Sequence, residues 1–235
     1  MKVCVFGDSI SKGVVFDNEK NRYTLLRESF INMIQNKTDV EINNVSCFGC
    51  TVSKGIGLLE KVEGELKDYE FTFIEYGGND CDYNWAEVAE NPDFDHQCKT
   101  PLSAFKEKYG QMIEKIKKLG SNPVLVTLPP IDSKRFFDWV SKGLNKDNIL
   151  KFLGDVNHIG RWQSLYNDTV KQLSILYKLP VLDIRSIFLK QNNIMDFICE
   201  DGIHPNYYGH KLIYQAIANS TWRRLQNGKI HVLST

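Results

Sequence analysis

Lys2-Val3-Cys4-Val5-Phe6-Gly7-Asp8-Ser9 opens the chain with a short apolar run that stops at a glycine and hands over to a carboxylate and a hydroxyl. A run with no polar alternation suits a strand buried on both faces, the usual condition of a strand in a parallel sheet. Lys2–Phe6 is therefore read as the first strand, and four later segments share its character: Val40–Val45, Glu70–Tyr76, Pro123–Leu128 and Pro180–Ile184. Stretches with helical apolar spacing follow each in turn, at Tyr23–Asn36, Val52–Lys67, Leu102–Leu119, Arg161–Leu179 and Tyr207–Gln226. Strand then helix, five times over, predicts an α/β fold. The expected form is a flavodoxin-like three-layer α/β/α sandwich on a five-stranded, mostly parallel sheet. Ligands of such sheets gather outside the carboxyl ends of the strands, so the residues just after each strand are where function is sought.

The 235 residues suffice for one core-bearing domain, and no repeat, low-complexity tract or Pro/Gly/Ser linker divides them. One domain over residues 1–235 is expected. Twenty-nine Lys and Arg balance 29 Asp and Glu, a neutral total that lacks the footprint of a nucleic-acid binder. The longest uninterrupted apolar run is four residues, Val3-Cys4-Val5-Phe6, far short of the roughly 20 that span a bilayer. Gly7 interrupts the N-terminus before a signal-peptide core could develop, and the chain reads as cytoplasmic. Six cysteines are too sparse for a disulfide scaffold and are expected as buried thiols, Cys47-Phe48-Gly49-Cys50 included. With no second CxxC or paired His, no metal and no cofactor are expected. Nothing in the sequence sets an oligomeric state.

Four strand-end segments carry the chemistry. Ser9 follows the first strand directly and is open to three readings: nucleophile, helix N-cap or phosphate-loop hydroxyl. The last lacks its pattern, because Lys12 precedes Gly13 rather than following it. After the second strand comes Asn44-Val45-Ser46-Cys47-Phe48-Gly49-Cys50-Thr51, where Gly49 can present a bare N–H. The third ends in Glu75-Tyr76-Gly77-Gly78-Asn79-Asp80, a turn that brings the Asn79 amide to the same edge. Near the C-terminus, Asp201-Gly202-Ile203-His204-Pro205-Asn206 sets a carboxylate three residues before an imidazole, ahead of a helix that Asn206 caps. Asp201 accepting from the His204 ring is the base-plus-orienter arrangement that a serine nucleophile requires. His96, His158, His210 and His231 have no such partners and are read as surface or structural. Gly77–Pro101 and Pro129–Gly160 are longer than sheet connections need, and Arg135-Phe136-Phe137-Asp138-Trp139-Val140 within the second would either wall a substrate site or pack as a short helix.

Taken together, Gly7-Asp8-Ser9, Gly49, Gly77-Gly78-Asn79-Asp80 and Asp201-Gly202-Ile203-His204 resemble the signature elements of the SGNH hydrolases, the GDSL-type esterases and lipases, in the family's order and over nearly the whole chain. Ile10 stands where the family's nickname has Leu, a swap of similar volume. The resemblance implies a serine esterase acting through an acyl-enzyme, with Ser9, His204 and Asp201 as catalytic residues. It implies an oxyanion hole of the Ser9 and Gly49 backbone N–H groups and the Asn79 side chain. Expected substrates are small acyl esters, acetyl or another short chain, O-acetylated carbohydrates among them. Acyl transfer to an alcohol by the same residues is the first alternative, and a non-catalytic flavodoxin-like binding protein the second. A receiver-type signalling domain does not fit, since Asp8 has no acidic neighbour after the first strand and no Lys follows the fifth.

Overall fold

The protein is described by a computed structural model over residues 1–218. Strand β1 (Lys2–Gly7) leads into the short helix α1 (Ser9–Lys12), then into a hairpin of β2 (Val14–Asp17) and β3 (Arg22–Leu25). Helix α2 (Phe30–Lys37), β4 (Glu41–Asn44) and α3 (Val52–Val62) follow, with a 3₁₀ segment over Glu63–Asp68. Next come β5 (Phe71–Glu75), α4 (Trp85–Glu90), α5 (Leu102–Lys118) and β6 (Asn122–Val126). Helices α6 (Ser133–Val140), α7 (Lys146–Leu153) and α8 (His158–Leu176) lead to β7 (Val181–Leu182), α9 (Arg185–Leu189), a 3₁₀ segment at Ile194–Phe197 and α10 (Tyr207–Ala216).

Five strands form one sheet in the order β4-β1-β5-β6-β7, every pairing parallel. Reversal of direction at β1 places its carboxyl end at the switch point of the sheet. Alternation along β1 divides the core in two. Cys4 and Phe6 join Leu59, Ile74, Tyr109, Leu125 and Tyr166 on the α3, α5 and α8 side. Val3 and Val5 join Ile31, Ile34, Val124, Leu182, Phe188 and Ile213 on the α2, α9 and α10 side. Apolar runs without polar alternation are thus explained by burial on both faces, and the expected α/β sandwich is the fold observed.

The helix expected over Tyr23–Asn36 is not one element. Residues Arg22–Leu25 pair antiparallel with Val14–Asp17, and the helix starts only at Phe30, where the Ser29 hydroxyl accepts from the Asn32 N–H at 3.3 Å. Val14, Val15, Phe16, Tyr23 and Thr24 are β-branched or aromatic residues that favour pairing, and their spacing happens to imitate a helical stripe. The second helix ends at Val62 and tightens to 3₁₀. Of the last, the stretch from residue 219 to Gln226 lies outside the described residues. The two long connections fold against each other as a small third core, in which Val88 and Ala89 of α4 meet Phe136, Phe137, Ile149, Leu153 and Ile159. The Asn148 amide donates to the Ala89 carbonyl at 2.7 Å and ties the two together.

Packing of α3 onto the sheet leaves no room at one position. A Cβ on Gly55 would lie 2.5 Å from the buried Tyr76 ring. Gly55→Ala gains about 1 kcal/mol of helix propensity, yet overpacking of this kind costs about 1–3 kcal/mol. The variant is expected to unfold at lower urea concentration than the wild type, and an unchanged or raised midpoint would contradict the close approach.

Candidate active site

The carboxyl end of β1 turns at Gly7 into α1, where the Asp8 carboxylate caps the helix by accepting the Ile10 N–H at 2.9 Å. Ser9 is thereby the first residue of a helix and faces the crest of the sheet. The loop after β4 is held against this turn by the Cys47 N–H, which donates to the Gly7 carbonyl at 3.1 Å. Gly49 sits at its tip with φ +65°, a left-handed conformation that glycine adopts without strain. The turn after β5 brings in Asn79, whose Nδ2 donates to Asp8 Oδ2 at 3.0 Å. Asp80 joins the last two loops, because both its carboxylate oxygens accept the Val52 N–H at the start of α3 at 3.1 Å. Burial pushes the Asp80 carboxyl up to about 6, against the hydrogen bonds it receives from Thr100 and Val52.

From the other end of the chain, the loop before α10 is closed by the Cys199 N–H donating to the His204 carbonyl at 2.8 Å and by Asn206, whose side chain accepts the Gly209 N–H and caps the helix. Asp201 Oδ1 accepts the backbone N–H groups of Ile203 and His204, both at 3.1 Å. Its Oδ2 lies 2.5 Å from His204 Nδ1. His204 Nε2 is in turn 2.8 Å from Ser9 Oγ, across 195 positions of sequence. Burial works to raise the Asp201 carboxyl, but the His204 ring and the two N–H groups outweigh it and hold the group below the ordinary carboxylate range. An ionised, fully buried acceptor fixes the imidazole with Nδ1 as its donor and leaves Nε2 as the base toward a hydroxyl. The expected Ser9, Asp201 and His204 are therefore brought together in bonding order, and Gly49 and Asn79 line the same cleft.

The sequence profile of the GDSL-like lipase/acylhydrolase family matches residues 5–212. The chain belongs to this family. Among individual relatives, YpmR of Bacillus subtilis (strain 168) is 24% identical over 228 residues, covering 92% of this chain and 80% of that protein. Of solved structures, a lipase/acylhydrolase from Enterococcus faecalis superposes with a TM-score of 0.66 at 18% identity, over 100% of this chain and 99% of that one. The psychrotrophic esterase EstA of Pseudoalteromonas sp., solved inhibited by monoethylphosphonate, gives 0.61 at 16% identity over 96% and 99%. This chain is a hydrolase of that family, on the family's fold.

Beside Ser9 the hydrolase opens a cleft of about 920 Å³, solvent at its mouth included. Its walls are mostly apolar: Tyr83 and Trp85 from one long connection, Phe136, Leu153 and Ile159 from the other, and Trp162 from α8. The segment Arg135 to Val140 thus does both things expected of it, since α6 packs Phe137 into the third core and turns Phe136 to the cleft. Tyr23 of the hairpin lies 5.2 Å from the His204 ring, and burial, then the charge of Asp201, hold its hydroxyl protonated. Phe48 stacks beside the same ring at 6.2 Å.

One reading of the sequence is corrected at the site. Cys47 and Cys50 were expected as thiols and are instead joined in a disulfide that brackets Gly49. The left-handed turn brings their Cα atoms to 5.4 Å, inside the range a disulfide accepts. Cys4, Cys81, Cys98 and Cys199 are free and buried. His158, read as surface or structural, forms part of the cleft wall. His210 is structural, its Nδ1 accepting the Phe30 N–H at 3.3 Å, and burial lowers it to about 3. His96 Nε2 donates to the Asn91 carbonyl at 2.7 Å, and His231 lies outside the described residues. Glu75 and Asp80, buried behind the cleft, were not singled out from the sequence, although a carboxylate closing an apolar strand was a signal of a polar group carried into the core.

The turn that holds His204 depends on Gly202, with φ +81° and an added Cβ only 2.4 Å from the Phe136 N. Gly202→Ala is expected to lower the thermal midpoint and to lower kcat further than the lost folded fraction explains, because the turn must shift away from α6 and carry His204 with it. Equal activity per folded molecule, measured by active-site titration, would refute this.

Proposed function

We propose that this hydrolase cleaves carboxylic esters through an acyl-enzyme on Ser9. In this reading His204 Nε2 takes the proton from Ser9 Oγ as the oxygen attacks the ester carbonyl, and Asp201 stabilises the imidazolium that forms. The imidazolium then protonates the departing alcohol, and a water activated by the same nitrogen releases the acid and restores Ser9. The Ser9 and Gly49 N–H groups and the Asn79 amide receive the negative charge on the tetrahedral oxygen, where each donor is worth on the order of 10²–10³ in kcat. The observation that carries the reading is the uninterrupted path Asp201 Oδ2, His204 Nδ1, His204 Nε2, Ser9 Oγ, with steps of 2.5 and 2.8 Å at the floor of an open cleft.

The cleft also bears on the acyl group. An acetyl group would leave the walls from Tyr83 to Trp162 uncovered, so their apolar character favours an acyl chain longer than the acetyl expected from sequence. Tyr23 and Phe48 flank His204, where the leaving alcohol departs, and offer it flat aromatic faces of the kind that sugar and aryl groups pack against. Carbohydrate esters therefore stay within the reading as alcohol components.

A series of nitrophenyl esters of increasing chain length tests both parts. Each methylene entering an apolar site is worth about 0.8 kcal/mol, close to fourfold in kcat/KM. The constant is expected to climb from acetyl until the cleft is full. A maximum at acetyl would reject the longer chain while leaving the esterase intact. Ser9→Ala is expected to abolish turnover, and Asp201→Asn to lower kcat by on the order of 10⁴. Retention of activity in Ser9→Ala would reject the acyl-enzyme, and ester products formed with added alcohol would instead favour acyl transfer.

A further inference from the structure

Behind the nucleophile turn two carboxyl groups are buried against each other. Asp8 and Glu75 are each 1% exposed, and the Asp8 N–H donates to Glu75 Oε2 at 3.3 Å, which sets the two carboxyl groups side by side. No Lys or Arg makes an ion pair with either among the described residues. The groups facing them are Ser11 of α1, Tyr76 beside Glu75, Asp80 beyond the Asn79 turn and the His204 ring. Two carboxylates in contact in a medium that excludes water cannot both be ionised, so the pair holds one proton.

The hydrogen bonds decide where that proton sits. Both oxygens of Asp8 are already acceptors, Oδ1 from the Ile10 N–H at 2.9 Å and Oδ2 from Asn79 Nδ2 at 3.0 Å. Protonating Asp8 would displace one of these donors. Glu75 instead collects its donors on one oxygen, Oε2, from the Asp8 N–H at 3.3 Å and the Ser11 hydroxyl at 3.0 Å. Its Oε1 is buried without a partner among the described residues, so a proton there relieves an orphaned charge rather than breaking a bond. In agreement, burial and the neighbouring Asp8 charge push Glu75 well above the usual carboxylate range.

The consequence falls on Asn79. A carboxylate can only accept, so it compels the amide to present NH₂. One N–H then goes to Asp8, and the second is left for the cleft that Asn79 lines beside Ser9. A neutral group in place of that carboxylate can donate to Asn79 Oδ1 and turn the amide over, setting a lone pair where the transition state places negative charge. We infer that Asp8 is a positioning residue that sets the polarity of the oxyanion amide at Asn79, and that Glu75 keeps it an acceptor by carrying the proton the two carboxyls share. This rests on the oxyanion role proposed above for Asn79.

The test is a double-mutant cycle with the most reactive nitrophenyl ester, supported by infrared spectra. Asp8→Asn keeps the cap on Ile10 but presents a donor to Asn79. It is expected to lower kcat about 10- to 100-fold with KM within about twofold, and Asn79→Ala added to it to cost no more than about threefold further, because both changes remove one donor. Losses that multiply, or an Asp8→Asn kcat equal to wild type, would overturn the positioning role. A wild-type kcat in Asn79→Ala would overturn the oxyanion reading with it, which separates that failure from the first. Glu75→Gln is neutral, as the protonated Glu75 is, and is expected to hold kcat within about threefold, whereas a fall as deep as that of Asp8→Asn would overturn the proton assignment. In mildly alkaline buffer, where Asp80 is ionised, the spectrum of Ser9→Ala should show the carbonyl stretch of a buried carboxylic acid, and Ser9→Ala combined with Glu75→Gln should lack it. Absence of that band in Ser9→Ala would also overturn the assignment, and if Asp8→Asn does not fold, the band and the Glu75→Gln rate decide the matter.

Discussion

The 2.8 Å contact between Ser9 and His204 closes 195 residues of chain, and its own energy cannot account for that closure. A hydrogen bond nets about 1 kcal/mol, while bringing the ends of so long a loop together costs about 5 kcal/mol from its length alone. The two side chains meet because other forces have already placed their elements. Parallel pairing of β1 with β4 and β5 fixes the Gly7 turn at the centre of the sheet. Burial of Ile213 on α10 among Val3, Val5 and Val124 fixes the other end. The approach of Ser9 to His204 is then a by-product of sheet and helix packing, and the short polar contacts only select the final rotamers.

That division explains why so many carboxylates crowd one edge. Asp8, Glu75, Asp80 and Asp201 are all buried, and each would be a liability in an apolar interior. Each accepts at least one backbone N–H: that of Ile10 for Asp8, Asp8 for Glu75, Val52 for Asp80, and Ile203 and His204 for Asp201. Such partners come with the backbone and need no side-chain entropy to hold them. They also knit neighbouring loops, so that the Gly49 loop, the Asn79 turn and the nucleophile turn are braced by the same carboxylates that tune the electrostatics.

Much of this was legible in the sequence, and the reason lies in where the information is stored. Strands buried on both faces announce themselves by unbroken apolar runs, and the residues at their carboxyl ends must then share one edge, so Ser9, Gly49 and Asn79 could be placed together without coordinates. Asp201 and His204 were legible because their partnership is local, three residues apart. What failed was pairing between segments of ambiguous period. Tyr23 belongs to a hairpin because Phe16 lies opposite it and Val15 opposite Thr24, a fact that no stretch of residues 22–36 contains by itself. The Cys47 to Cys50 bond depends on the left-handed turn at Gly49, and composition alone argued for thiols. Glu75 was visible as a carboxylate closing an apolar strand, but its meaning depends on Asp8, 67 positions away.

The cleft obeys a different rule from the residues at its floor. Ser9, Gly49, Asn79 and His204 sit on turns tied directly to sheet strands or to a helix cap, whereas Trp85, Phe136, Leu153 and Ile159 belong to two long connections with an apolar core of their own. Substituting in that third core leaves the sheet registers and the carboxylate braces untouched, because none of their hydrogen bonds runs through α4 or α7. Contacts do cross between the two parts: the Asp132 N–H donates to the Gly202 carbonyl at 2.9 Å and Arg135 Nη1 to the Ile198 carbonyl at 3.0 Å, joining the start of α6 to the segment that carries His204. In the proposed esterase, acyl preference can therefore change by repacking the far wall of the cleft at little consequence to reactivity, but movement of α6 itself cannot be separated from the position of His204.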